Sequence, residues 1–193
     1  MNLPNKLTTG RLMLSVFFVA CFFIGEGWRY MVAFAIFLVA VATDYLDGEI
    51  ARKRGLITDF GKLMDPLADK ILTASAFICL TGTEIEGVPA LPGWAVIIII
   101  SREFLITGLR SLAASKGVVL PAENLGKHKT AWQMITISYF LLLLAVSETP
   151  VAAGWMRPAW QFGTYGLVPL TVLLTIYSGL AYLAKNRGLI VTE

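Results

Sequence analysis

The chain has 193 residues, of which 56% are hydrophobic and 15% charged, with a mean hydropathy of +0.71. A soluble domain carries about a quarter charged residues, so this composition excludes an ordinary water-soluble globule. The net charge of +3 is small, and its distribution along the chain carries more information than its size.

Residues 9–24 form the first apolar segment; Lys6 and Arg11 precede its apolar run 12–24, and it is ended by Gly25-Glu26-Gly27. Basic residues ahead of an apolar run imitate a secretory leader. Here Phe18 stands before Val19-Ala20-Cys21, and the run continues through Phe22, Phe23 and Ile24. We therefore read a first transmembrane helix behind a short N-terminal interfacial segment. The second apolar segment covers about residues 29–46 and runs into a group of aspartates. The third covers about residues 63–80 and ends at Thr81-Gly82-Thr83. A fourth runs from 94 to about 113, a fifth over about 130–146 and a sixth over about 165–184. Such lengths approach the roughly 20 residues that cross about 30 Å of hydrocarbon as a helix. The expected fold is all-α: a polytopic membrane protein of six transmembrane helices, one domain over residues 1–193. Cys21 and Cys79 each lie inside an apolar segment without metal-site spacing, and read as small buried hydrophobes.

Basic residues set the orientation. Six spans put both termini on one side, with the connections carrying Arg52, Lys53, Arg54 and Lys62 and then Lys116, Lys127 and Lys129. The opposite loops hold Arg29 and Arg157 beside Glu26, Glu84, Glu86 and Glu148. The positive side faces the cytoplasm, so both termini and the aspartates are expected at the cytoplasmic face of the membrane. Trp28, Trp94, Trp155 and Trp160 fall near the outer helix ends, where an aromatic belt would place them.

All the aspartates of the chain, Asp44, Asp47, Asp59, Asp65 and Asp69, lie within residues 44–70. On a helix, residues three or four apart share a face, which pairs Asp44 with Asp47 and Asp65 with Asp69. Carboxylates at a membrane are costly and mark function by default. Close like charges also need a counter-charge, and divalent cations supply one. Oxygen ligands without His or Cys suit hard ions such as Mg²⁺ or Mn²⁺, and four carboxylates can hold two of them. Gly48 and Gly61 leave room for close approach, and Arg52 is placed to meet phosphate charge. Asp59 reads as a helix N-cap, and Asp65-Pro66 has a competing reading as N-cap and first helical residue. A divalent-cation transporter would use similar acids, but it needs an acidic path onward, and the outer halves of the segments supply none.

The full string Asp44-x-x-Asp47-Gly48-x-x-Ala51-Arg52, eight residues, then Gly61-x-x-x-Asp65-x-x-x-Asp69 resembles the signature of the CDP-alcohol phosphatidyltransferases. That resemblance implies transfer of a phosphatidyl group from a CDP-linked lipid to an alcohol, with release of CMP, by a homodimeric enzyme. It implies that Asp44, Asp47, Asp65 and Asp69 bind two metal ions, with Asp69 also the general base. It places Gly48, Ala51, Arg52 and Gly61 at the CDP-lipid site. Three further stretches, "LPNKLTTGR", "SREFLITGLR" and "GKHKTAWQ", are similar to bacterial members whose acceptor is sn-glycerol 3-phosphate. Arg102, Arg110, Lys127 and Lys129 are then the candidates to hold the acceptor phosphate. Arg102 and Arg110 are eight residues apart, about 80° around a helix, so both can face one cavity. Arg102 is also a candidate for a buried interaction with Glu103. His128 reads as a solvated loop residue with a weaker claim to chemistry. Serine, inositol phosphate and phosphatidylglycerol stay open as alternative acceptors, and a phosphate-bearing acceptor fits the basic cluster better than serine.

Overall fold

A computed structural model describes the backbone of residues 3–25, 27–54, 59–115, 117–118, 120, 124–149 and 154–187. Side-chain surroundings are described for 9–25, 27–43, 67–68, 70–115, 117–118, 120, 125–149 and 154–187. Each expected apolar segment lies largely in helix, the first ending at Cys21 and not at Ile24. The elements are α1 (Leu3–Cys21), α2 (Arg29–Arg54), α3 (Asp59–Thr81), α4 (Gly93–Ser115), α5 (Asn124–Ser147), α6 (Met156–Phe162) and α7 (Val168–Lys185). A π-helical turn, Gly163–Leu167, joins α6 to α7. Two of the described helical stretches, Leu125–Ser147 and Met156–Lys185, are long and apolar enough to cross a membrane. Thr9–Cys21, Arg29–Thr43 and Lys70–Thr81 are shorter apolar helices.

Helix α1 packs against both α2 and α3, α5 against α2, and α7 against α4 and α5, while α3 also touches α4 and α5. Small residues make these approaches possible. On α2, Ala33, Phe37 and Ala40 are all within 1% of complete burial and recur at the i, i+4, i+7 spacing of one helix face. Val32, Leu38 and Val39 on the same helix are about half exposed. An apolar outer face over a core of small residues is the pattern of helices packed in lipid, where close contact replaces the hydrophobic effect. Phe18, Phe37, Phe77 and Phe140 fill the centre, and Phe140 meets Trp160 edge-on at 5.0 Å between ring centroids.

Several boundaries differ from expectation. The N-terminal segment expected as a separate interfacial piece is continuous with α1 from Leu3. Helix α3 begins at Asp59, agreeing with its place at a helix start, and runs through Pro66. Asp65 is therefore interior to the helix, and the N-cap reading of Asp65-Pro66 is overturned. A proline there removes one backbone bond, which one missing hydrogen bond in a 23-residue helix does not forbid. Lys127, His128 and Lys129 belong to α5, which starts at Asn124, and not to a loop. Three polar residues in a row give no apolar period to reveal it.

The end of the bundle that carries the loop between α3 and α4 is organised by contacts that local sequence does not announce. Residues Glu84–Ile85 (β1) and Val88–Pro89 (β2) pair as an antiparallel hairpin, whose turn puts Glu86 and Gly87 at φ 50° and 75°, as a tight primed turn requires. Trp160 is fully buried and donates its Nε1–H to the Val88 carbonyl at 2.7 Å. It is a packing residue and not a member of an aromatic belt. The Thr164 hydroxyl donates to the Pro89 carbonyl at 2.8 Å. Glu148, expected as a loop residue, accepts the backbone N–H groups of Tyr30 and Met31 at 3.1 and 3.2 Å. It caps α2 from the end of α5, satisfying donors that every helix start leaves open.

Candidate active site

The motif falls on two helices separated by residues 55–58. Asp44, Asp47, Gly48, Ala51 and Arg52 lie on α2, and Gly61, Asp65 and Asp69 on α3. Helical backbone through both sets places Asp44 and Asp47 about 60° apart around α2, and Asp65 and Asp69 about 40° apart around α3. Their side-chain surroundings lie outside the described residues, so the pairing expected between the two helices is not among the observed contacts.

One residue beyond Asp69 the site becomes explicit. Lys70 donates to Glu103 Oε2 at 3.0 Å, reaching from α3 to α4. Arg102 Nη1 donates to Glu103 Oε1 at 3.3 Å, and Lys129 Nζ on α5 donates to the same oxygen. One carboxylate thus gathers three cations from three helices. The Lys129 side chain is only 4% exposed, which an ammonium group tolerates when it is paired. Lys70, Thr73, Glu103, Lys129, Thr130 and Gln133 line a cleft together with the apolar Phe77, Ile99 and Phe104.

Both arginines singled out on α4 face α7. Arg102 Nη2 donates to the Ser178 hydroxyl at 3.2 Å, and its stem crosses Gly179, where a Cβ would lie 3.0 Å from Arg102 Cγ. Arg110 donates its Nε–H to the Tyr182 hydroxyl at 3.1 Å and stacks over that ring at 5.3 Å. Burial continues as a polar seam between α5 and α7. Gln133 donates to Thr175 at 3.5 Å, and the Thr136 and Thr171 hydroxyls share a hydrogen bond of 2.7 Å. Lys127 and Lys129 separate: two residues apart, they differ by about 200° around α5, and Lys127 is exposed while Lys129 is buried. His128 is exposed beside them.

Sequence reasoning placed Arg102 against Glu103 but missed Lys70 and the reach of Glu103 to two other helices. The signal for Lys70 was a lysine directly after the last motif aspartate, at the start of an apolar helix. Nothing in the sequence paired it with a glutamate 33 positions away.

The CDP-alcohol phosphatidyltransferase family profile matches residues 1–183. This chain belongs to that family. Within it, the chain is 36% identical to the CDP-diacylglycerol–glycerol-3-phosphate 3-phosphatidyltransferase of Bacillus subtilis, covering 96% of this chain and 95% of the relative. The protein of the same name from Salmonella paratyphi A is 33% identical, over 97% and 96% of the two chains. That from Rickettsia bellii is 38% identical over 73% and 75%. The motif string lies on α2 and α3, and the Lys70–Glu103–Lys129 cluster follows it directly in sequence at Lys70.

Proposed function

We propose that the protein transfers the phosphatidyl group of CDP-diacylglycerol to sn-glycerol 3-phosphate, giving phosphatidylglycerophosphate and CMP for phosphatidylglycerol and cardiolipin synthesis. The observation that carries this reading is the near full-length similarity to relatives named for that reaction, over 96 and 97% of the chain.

In this reading Asp44, Asp47, Asp65 and Asp69 hold two divalent ions. Four carboxylates on two helical stretches are a hard-oxygen donor set, which fits Mg²⁺ or Mn²⁺. When bound, such ions offset the charge of the pyrophosphate and of the departing CMP. Gly48, Ala51 and Gly61 leave clearance for the cytidine nucleotide along the helices, and Arg52 meets its phosphates. Asp69 takes the proton from the acceptor hydroxyl as that oxygen bonds to the lipid-side phosphorus. The bond from that phosphorus to the CMP oxygen breaks, and CMP leaves with the electron pair. Arg102 and Lys129, which meet at Glu103, hold the acceptor phosphate by charge-assisted hydrogen bonds, while Arg110, about two turns along α4, and Lys127, on the exposed side of α5, add positive charge to its approach.

The same reading takes the chain as one domain of six spans, homodimeric, with termini and site at the cytoplasmic face of a bacterial inner membrane. The clustering of Lys and Arg in alternate connections supports that orientation. The test is CMP release by purified protein in CDP-diacylglycerol mixed micelles with each acceptor in turn. Glycerol 3-phosphate should support release, and serine, inositol phosphate and phosphatidylglycerol should not. EDTA should abolish release and Mg²⁺ or Mn²⁺ restore it. Release with serine alone would reject the acceptor, and turnover in EDTA would reject the metal site.

A further inference from the structure

Glu103 lies where charge alone would not put a carboxylate. If Arg102, Lys70 and Lys129 meet an acceptor phosphate, an anion among them weakens that attraction: it lowers the local charge from +3 to +2, three cations less one carboxylate. Yet Glu103 uses both oxygens to bind all three. Its side chain is 17% exposed, and those of Lys129, Arg102 and Lys70 are 4%, 13% and 24% exposed. Like charges screened so little by water repel strongly and turn apart unless something holds them.

We propose that Glu103 is a positioning residue for the acceptor site. It fixes the ammonium groups of Lys70 and Lys129 on one wall of the cleft, so that an incoming phosphate meets them already oriented. The proposal rests on the reading of the acceptor as a phosphomonoester. Such a group carries about −1.5 to −2 charges at pH 7, which the excess of +2 at the cluster neutralises, whereas serine brings no net charge.

Charge and position predict opposite signs, which makes the proposal testable. If Glu103 only diluted positive charge, Glu103→Gln would tighten glycerol 3-phosphate binding. If it positions the lysines, the same variant loses affinity for that substrate alone. Initial rates of the purified full-length enzyme should be measured against both substrates for wild type, Glu103→Gln, Glu103→Asp, Lys70→Met and the Lys70→Met/Glu103→Gln double variant. For Glu103→Gln we expect KM for glycerol 3-phosphate to rise about tenfold, with kcat and KM for CDP-diacylglycerol within about twofold of wild type. Glu103→Asp should fall between the two. The double variant should be within about twofold of the worse single variant, because both changes remove one interaction. An unchanged or lower KM for glycerol 3-phosphate, an equal loss on both substrates, or multiplying single effects would overturn the proposal. Should Glu103→Gln fail to accumulate as monodisperse protein, Glu103→Asp decides: a selective rise of about threefold or more upholds positioning, and none overturns it. Wild-type enzyme that releases CMP only with an uncharged acceptor defeats the functional reading and takes this proposal with it. A wild type active on glycerol 3-phosphate whose Glu103 variants show no selective defect defeats the proposal alone.

Discussion

At the scale of single residues, the proposed chemistry rests on carboxylates whose spacing is visible in the chain. Asp65 and Asp69 occupy one helix, four positions apart, and Asp69 carries the proposed proton transfer. Asp69→Asn keeps the side-chain shape and removes its basicity. We expect it to lower CMP release by at least about a hundredfold, the scale of a lost general base, while the protein still elutes from size exclusion as wild type does. Retained activity would reject the base assignment. The shared helix faces of Asp44 with Asp47 and of Asp65 with Asp69 could be read directly because helical periodicity is local. Lys127 and Lys129 looked equivalent as neighbouring cations, and the structure separates them into an exposed and a buried side chain. Which side of α5 is covered depends on α2, α3 and α7, and none of them adjoins α5 in the order of elements.

At the scale of elements, the joint between α6 and α7 shows how one missing side chain sets a shape. The Val168 N–H bonds to the Gly163 carbonyl, five residues back, so the helix widens by one residue just before Pro169. A wide turn of this kind relieves the clash that proline makes with the preceding turn. A Cβ on Gly163 would lie 2.8 Å from the rings of both Phe140 and Tyr139 on α5. Phe140 is fully buried and has nowhere to go. Gly163→Ala should therefore destabilise the protein by about 1–3 kcal/mol, the usual cost of overpacking, seen as a lower thermal midpoint in detergent. Gly166→Ala is the control: its nearest neighbour would be 3.5 Å away, an ordinary contact, and the midpoint should hardly move. An equal effect at both positions would mean that helix propensity, and not ring contact, governs this turn.

At the scale of the whole molecule, orientation in the membrane follows from charge placed far apart along the chain. Glu86 lies in the hairpin turn and is exposed, paired only loosely with Arg157 at 3.2 Å. Arg187 follows the end of α7 and is also exposed. In a background lacking Cys21 and Cys79, Glu86→Cys should react with a membrane-impermeant maleimide in intact cells. Arg187→Cys should react only after the cells are opened. The reverse pattern would invert the proposed topology, and labelling of both from outside would break the six-span count.

The sequence by itself determined the class of the molecule, the order of its helical segments and the family signature, because each depends on composition or on spacing within a few turns. Asp59 at the start of α3 was legible for that reason. Only the tertiary structure decided that Glu103 binds Lys70 and Lys129, that Glu148 caps α2, and that Trp160 is buried under the hairpin. Those contacts join residues between 26 and 118 positions apart. Periodicity says which face of a helix is apolar, but which helix covers that face is settled by packing, where small residues let backbones close and a buried charge must find its partner.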